Sequence, residues 1–182
     1  MRREHLLVSA AFLTVLTAAP LFQAWGQDRQ STSKAEDRIA REVCHELVTL
    51  PYYSVFDNLA YKVSRYTVTL VGQVTKPALK RDAEKAVKKI EGVDKVINNI
   101  EVLPLSPMDD QIRRAVYRAI YSQPGLDMYS LRAVPTIHII VKNGQVTLTG
   151  AVANAGDKTR AGIAANGVSG VFSVTNDLLV SP

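Results

Sequence analysis

The feature that most limits what this chain can fold into is an internal repeat. Val68-Thr69-Leu70-Val71-Gly72-Gln73-Val74 recurs 78 residues later as Val146-Thr147-Leu148-Thr149-Gly150-Ala151-Val152. The same offset aligns Leu59, Tyr61 and Val63 with Ile137, Ile139 and Val141, and Gly92, Val96, Asn98 and Ile100 with Gly170, Val174, Asn176 and Leu178. Upstream the offset is 73: Ile39, Val43, Leu47 and Pro51 align with Ile112, Val116, Ile120 and Pro124. The second copy therefore carries five extra residues between its first helix and its first strand. A chain written twice in this way folds as two similar units, each burying its own apolar face.

Each copy reads as a fixed series of elements. Ile39, Val43 and Leu47, like Ile112, Val116 and Ile120, recur at helical spacing, and Pro51 and Pro124 stop those helices. Period-2 alternation follows, with Leu59, Tyr61 and Val63 on one face and Ala60, Lys62 and Ser64 on the other. Asn143-Gly144 marks a tight hairpin in copy 2, because both residues accept positive φ. Copy 1 has Arg65-Tyr66 there, so its turn chemistry differs. The returning strands end at Gly72 and Gly150. A second helix follows, with Leu79, Ala83, Ala86, Val87 and Ile90 as its apolar stripe in copy 1. In copy 2 the three glycines Gly156, Gly162 and Gly167 predict a frayed or short helix, since each costs up to about 1 kcal/mol in a helix interior. Gly92 and Gly170 are placed to close these helices as C′ glycines. The last strands are predicted over 95–103 and 173–180.

The result is an α+β fold of two tandem small modules, each α-β-β-α-β. Each has a three-stranded mixed sheet covered on one face by two helices. Module 1 spans 37–103 and module 2 spans 109–180. The linker 104–108 is Pro-Leu-Ser-Pro-Met, short and stiff. A flexible segment, 27–36, precedes module 1.

Residues 1–26 have the layout of a secretory signal peptide. Arg2 and Arg3 precede an apolar run from Leu6 to Leu21, and Ala24-Trp25-Gly26 sets small residues at −3 and −1 of a cut before Gln27. The run is short for a membrane span of about 20 apolar residues. Cleavage near Gly26 predicts a periplasmic or exported protein. No cysteine lies near the cut to carry a lipid, so a lipoprotein is not expected. The cleavage removes Arg2, Arg3 and Glu4 and takes the formal charge from +5 to +4. That mild excess suits an acidic partner or an anionic lipid surface without demanding nucleic acid. The single cysteine, Cys44, has no intramolecular partner and reads as a buried thiol on the first helix; if exposed, it could link two copies.

No catalytic or metal signature is legible. His45 adjoins Cys44, but adjacent helical residues face different ways. His138 lies on the strand face opposite Ile137 and Ile139 with no third ligand nearby, where zinc takes three or four. No Gly-x-Ser-x-Gly and no Gly-rich phosphate loop occur. Asp109-Asp110 reads as a helix N-terminus. No cofactor is expected. Two surface patches remain. Arg81, Lys85 and Lys88 share a face of the second helix, where they either meet an anionic surface or simply keep the helix solvated. Arg114, Tyr117, Arg118 and Tyr121 lie at i, i+3, i+4 and i+7 on the first helix of module 2. They suit a lipid headgroup zone or a protein interface; alternatively the tyrosines pack on the other module.

The hairpins ending in Val-Thr-Leu-x-Gly, the helices opening with Lys80-Arg81-Asp82-Ala83-Glu84 and Asp157-Lys158-Thr159-Arg160-Ala161, and the closing Gly-Val-x-x-Val-x-Asn at 92–98 and 170–176 resemble the BON domain family. The resemblance covers nearly all of the chain after residue 36. It implies a non-catalytic module that associates with phospholipid membranes or envelope partners, with chaperone-like roles also attached to the family. It carries over no catalytic residue. Gly72, Gly92, Asn98, Gly150, Gly170 and Asn176 are its structural motif residues. The expected function is binding to anionic phospholipid membrane surfaces, in support of envelope integrity or osmotic stress tolerance. The alternative is a soluble periplasmic chaperone-like or scaffold protein that binds other envelope proteins. No oligomeric state follows from the residues.

Overall fold

The computed structural model describes residues 24–131 and 135–181. The expected signal peptide lies largely outside the described residues. In chain order the elements are α1 (Ala24–Val48), β1 (Asn58–Ser64), β2 (Thr67–Val74), α2 (Pro77–Val87), β3 (Lys95–Asn98), β4 (Glu101–Val102), α3 (Pro107–Tyr121), β5 (Ile137–Lys142), β6 (Gln145–Val152), α4 (Ala155–Asn166), β7 (Ser173–Asn176) and β8 (Leu179–Val180). A short 3-10 turn, Asp127–Ser130, follows α3 and occupies much of the five-residue insertion. Segment 27–36, expected to be flexible, is helical and belongs to α1.

Both modules have the same topology. β1 runs antiparallel to β2 through a two-residue turn, and β3 and β4 both run parallel to β2. β5, β6, β7 and β8 repeat the arrangement. The strand predicted over 95–103 is thus two short pieces, and so is its counterpart in module 2. The break is built by an asparagine. Asn98 donates from Nδ2 to the Lys80 carbonyl (2.9 Å) and accepts from the Ile100 N–H (3.2 Å). Asn176 donates to the Lys158 carbonyl (2.7 Å) and accepts from the Leu178 N–H (3.4 Å). Each asparagine turns the strand inward, burying Ile100 or Leu178, and ties it to the second helix.

The periodic residues form the cores. Ile39, Val43 and Leu47 of α1 meet Leu79, Ala83 and Val87 of α2 over Val68, Leu70 and Val74 of β2. Both helices therefore cover one sheet face. In module 2, Ile112, Val116 and Ile120 meet Ala161 and Ala165 over Ile137, Ile139, Val146 and Leu148.

Local chemistry accounts for several departures from expectation. Gly72 and Gly150 lie inside β2 and β6, not at their ends, with φ of +119° and +109°. A Cβ there would stand 2.1 Å from the Asn58 carbonyl oxygen or 2.0 Å from that of Thr136. The partner strand thus comes so close that only glycine fits. Helix α4 is neither short nor frayed: its 12 residues compare with 11 in α2. Its glycines sit where they cost little. Gly156 is in the first turn, Gly167 is the C-cap, and Gly162 lets Asn176 press against the helix, where a Cβ would meet Nδ2 at 2.7 Å. Asn154 caps the start by accepting from the Asp157 N–H. Gly92 and Gly170 do not close the helices. α2 ends at Val87, and further tight turns intervene before Gly92 (φ +84°) leads into β3. At the β1–β2 turn Arg65 adopts the positive φ that Asn143 shows in module 2, and the Glu36 carboxylate accepts from its N–H.

The modules are joined by more than the linker. Segment 49–57 of module 1 reaches into module 2. Val55 belongs to the core of module 2, and its carbonyl accepts from the Ile139 N–H (2.8 Å). Asp57, fully buried, fixes this segment. Its carboxylate accepts from the Ser54 N–H (3.1 Å) and hydroxyl (2.6 Å) and from the Thr75 N–H (2.6 Å) and hydroxyl (2.8 Å). Four donors satisfy a charge that burial would otherwise make costly. Tyr53 stacks on His138 with ring centroids 5.6 Å apart, and Lys142 pairs with Glu101 at 2.5 Å. Leu103 and Ile140 are buried yet belong to neither core.

Candidate binding surfaces

The residues expected on one face of α3 separate into two groups. Arg114 and Arg118 are exposed. Among the described residues neither has an acidic partner. Tyr121 is buried in the module 2 core and its hydroxyl donates to the Ile137 carbonyl (2.9 Å). Burial raises its pKa. Tyr117 is half-buried, 4.7 Å from the Tyr121 ring and 6.2 Å edge-on from Phe56 of module 1. The tyrosines therefore serve packing, one of them between modules. The buried stripe of α3 is Asp109, Ile112, Arg113, Val116 and Ile120, and the tyrosines flank it. A stripe at i, i+3, i+4 and i+7 straddles that boundary, so its arginines are exposed, Tyr117 is half-buried and Tyr121 is buried.

Two charged residues on α3 work in ways the sequence hid. Asp109 is buried, and its carboxylate accepts from the N–H groups of Asn143 (2.9 Å) and Gly144 (2.8 Å), tying the β5–β6 turn to the helix. Arg113, 4% exposed, pairs with Asp110 and donates to the Val141 carbonyl (2.7 Å), while its Nε has no partner. The only warning was their spacing from Ile112 and Val116, which sets both on the core-facing side.

Arg81 and Lys85 on α2 and Lys88 at its C-cap are exposed as expected. Lys88 is engaged by Glu84 at 2.5 Å, a surface pair of small energetic weight. Arg81 and Lys85 make no ion pair among the described residues. Cys44, expected to be buried, is exposed and free. It follows Val43 by one residue, about 100° around the helix from the buried line. His45 is exposed beside it, whereas His138 sits under Tyr53. Burial holds the His138 pKa below its ordinary value, against the opposing effect of the nearby Asp57 and Ser54 carbonyls. Burial likewise pushes Tyr53 up to about 12. In module 2 the Tyr129 hydroxyl donates to Asp157, and this bond, then that of Arg160, holds the Asp157 carboxyl below the usual range. These shifted groups bind one another rather than opening into a shared pocket. Among the described residues no group of three or more His, Cys, Asp or Glu is placed to hold a metal ion. None of the helices there is long and apolar enough to cross a membrane.

Fold and surface together define a tandem α-β-β-α-β protein with exposed basic residues on one helix of each module. The BON domain model matches residues 35–104 and 108–182, and the chain belongs to the BON domain family. The family is non-catalytic and associated with membranes and the envelope. No curated protein matches the chain. Among solved structures it is similar to CdsD, a structural protein of the Type III secretion system of Chlamydia trachomatis. Identity is 14% and the TM-score 0.32, over 80% of this chain and 93% of that one. For the C-terminal domain of CdsD the values are 13% and 0.27, over 78% and 96%. Likenesses this distant have no bearing on function.

Proposed function

We propose that this chain is an exported, non-catalytic envelope protein that binds anionic phospholipid surfaces and so supports envelope integrity or osmotic stress tolerance. The observation that supports this most is the pair Arg114 and Arg118. They stand one helical turn apart on α3, exposed and without an acidic partner among the described residues. Near an anionic leaflet each such charge is worth about 1 kcal/mol. Arg81 and Lys85 on α2 are secondary contributors of the same kind. The membrane association of the family supports the reading, as does the signal-like N-terminus.

Co-sedimentation with vesicles of phosphatidylglycerol and phosphatidylcholine tests it. Binding is expected at low salt and is lost as salt screens the charges. The double variant Arg114→Glu with Arg118→Glu should abolish it. Indifference to anionic vesicles at low salt would sink the reading. Undiminished binding by the double variant would move the site away from α3. A second reading, a scaffold or chaperone-like protein binding other envelope proteins, is favoured by Ile163, Phe172 and Leu179. These apolar side chains of module 2 are between 68% and 83% exposed.

A further inference from the structure

We infer that the junction between the modules carries an apolar wedge, Leu105, which enters the acyl region of an anionic membrane while basic residues beside it hold the headgroups. This rests on the lipid reading above and moves its centre from the helix faces to the linker.

Leu105 is 94% exposed, more than any other large apolar side chain described. Exposure alone means little, but this residue is held in place from both sides. Leu103 is buried and its N–H donates to the Val74 carbonyl (2.8 Å). Ser106 caps α3 by accepting from the Asp109 N–H (3.2 Å), and Pro107 opens the helix. Pro104 and Pro107 restrict the backbone on either side. Leu105 is thus a fixed protrusion, so little conformational freedom remains to be lost on insertion. Met108, 61% exposed, stands three residues further on.

Leu105 also borders a cleft of about 370 Å³ whose lining combines the apolar Phe56, Leu103 and Pro104 with the basic Lys76, Arg113 and Arg114. Asp110 is its one acid, and Arg113 already pairs with it. Lys76 lies over the Tyr52 ring at 4.5 Å, and Arg114 has no ion pair among the described residues. Two cationic charges therefore remain for an incoming anion. An apolar protrusion beside unpaired cations matches an anionic lipid surface, which offers phosphate next to hydrocarbon. A soluble acidic protein would have to supply an apolar pocket beside its acids to cover Leu105, a pairing that a lipid surface offers everywhere.

The test uses the chain's single tryptophan count. Trp25 is the only tryptophan. Trp25 falls before the expected cut, so in the mature protein, and with Trp25→Phe in any form that keeps that segment, the substitution Leu105→Trp is the sole indole reporter. On vesicles of phosphatidylglycerol and phosphatidylcholine its emission should shift to the blue, and lipids brominated in their acyl chains should quench it. Leu105→Ser should weaken vesicle partitioning about tenfold or more, the effect of withholding a leucine side chain from hydrocarbon. If the reporter protein co-sediments with vesicles but shows neither shift nor quenching, the wedge is overturned and the lipid reading stands. If no form of the protein, native included, co-sediments at low salt, both fall.

Discussion

Val55 provides the sharpest test of how the two modules are joined. In sequence it belongs to module 1, ahead of β1, yet its side chain is buried, 7% exposed, in the core of module 2. Val55→Ala keeps the backbone, and with it the bond from the Ile139 N–H to the residue 55 carbonyl. The change therefore isolates the side chain. Two methyl groups leave the core; at about 0.8 kcal/mol per buried carbon the loss is about 1.6 kcal/mol, before any contribution from the cavity. That corresponds to faster opening of the affected unit by about tenfold or somewhat more. Hydrogen exchange read by mass spectrometry resolves where the loss falls. Peptides covering 137–152 should exchange faster, while those covering 67–87 hold their rate. Val43→Ala, in the core of module 1, should do the reverse. If Val55→Ala accelerates exchange in 67–87 and leaves 137–152 alone, the docked arrangement is wrong.

Gly150→Ala should destabilise module 2 by about 3 kcal/mol or more, because positive φ and a contact with the Thr136 carbonyl oxygen act together; chemical denaturation measures it. Asp109→Ala strands two N–H groups at the Asn143–Gly144 turn and should cost about 2–4 kcal/mol in the same assay. Gly162→Ala should lower stability despite alanine's better helix propensity of about 1 kcal/mol, since its Cβ collides with Asn176; a gain in melting temperature would refute that. His138 gives a pH dependence. Burial depresses its pKa below the ordinary 6.5, so the folded form resists a proton that the unfolded chain accepts. Its contribution is whole above pH 6.5, falls as the pH drops below that value, and levels off beneath the depressed pKa. The groups facing the ring are Tyr53, Asp57 and the Ser54 carbonyl. Thermal melts from pH 8 to pH 4.5 should show the loss, and His138→Gln should reduce it.

The topology was legible because it rests on local patterns written twice. Ile39, Val43 and Leu47 announce a helix face by spacing alone, and Val68 and Leu70 a strand face. Asn98 and Asn176 were visible as a recurring motif, but their work was not. Each breaks a strand and fastens it to a helix 18 residues earlier, a relation no window of sequence contains. The candidate surface was half legible. Charge spacing located Arg114 and Arg118. For the tyrosines beside them the residues left two readings, a binding face or packing on the other module, and the fold takes the packing one for Tyr117, which meets Phe56; a stripe at the edge of a helix face is buried or exposed according to what packs there.

What the sequence alone determined is the repeated module, its element order and most of the two cores. All of these depend on periodicity, and the hydrophobic effect acts on periodicity wherever the chain goes. What tertiary structure alone decided is how the copies differ in use. Val55 crossing into the other core, Asp57 gathering four donors, Asp109 holding a distant turn and Leu105 left standing in solvent all depend on contacts between segments far apart in the chain. A carboxylate reads the same in sequence whether water or four donors surround it; only the packed fold supplies the difference.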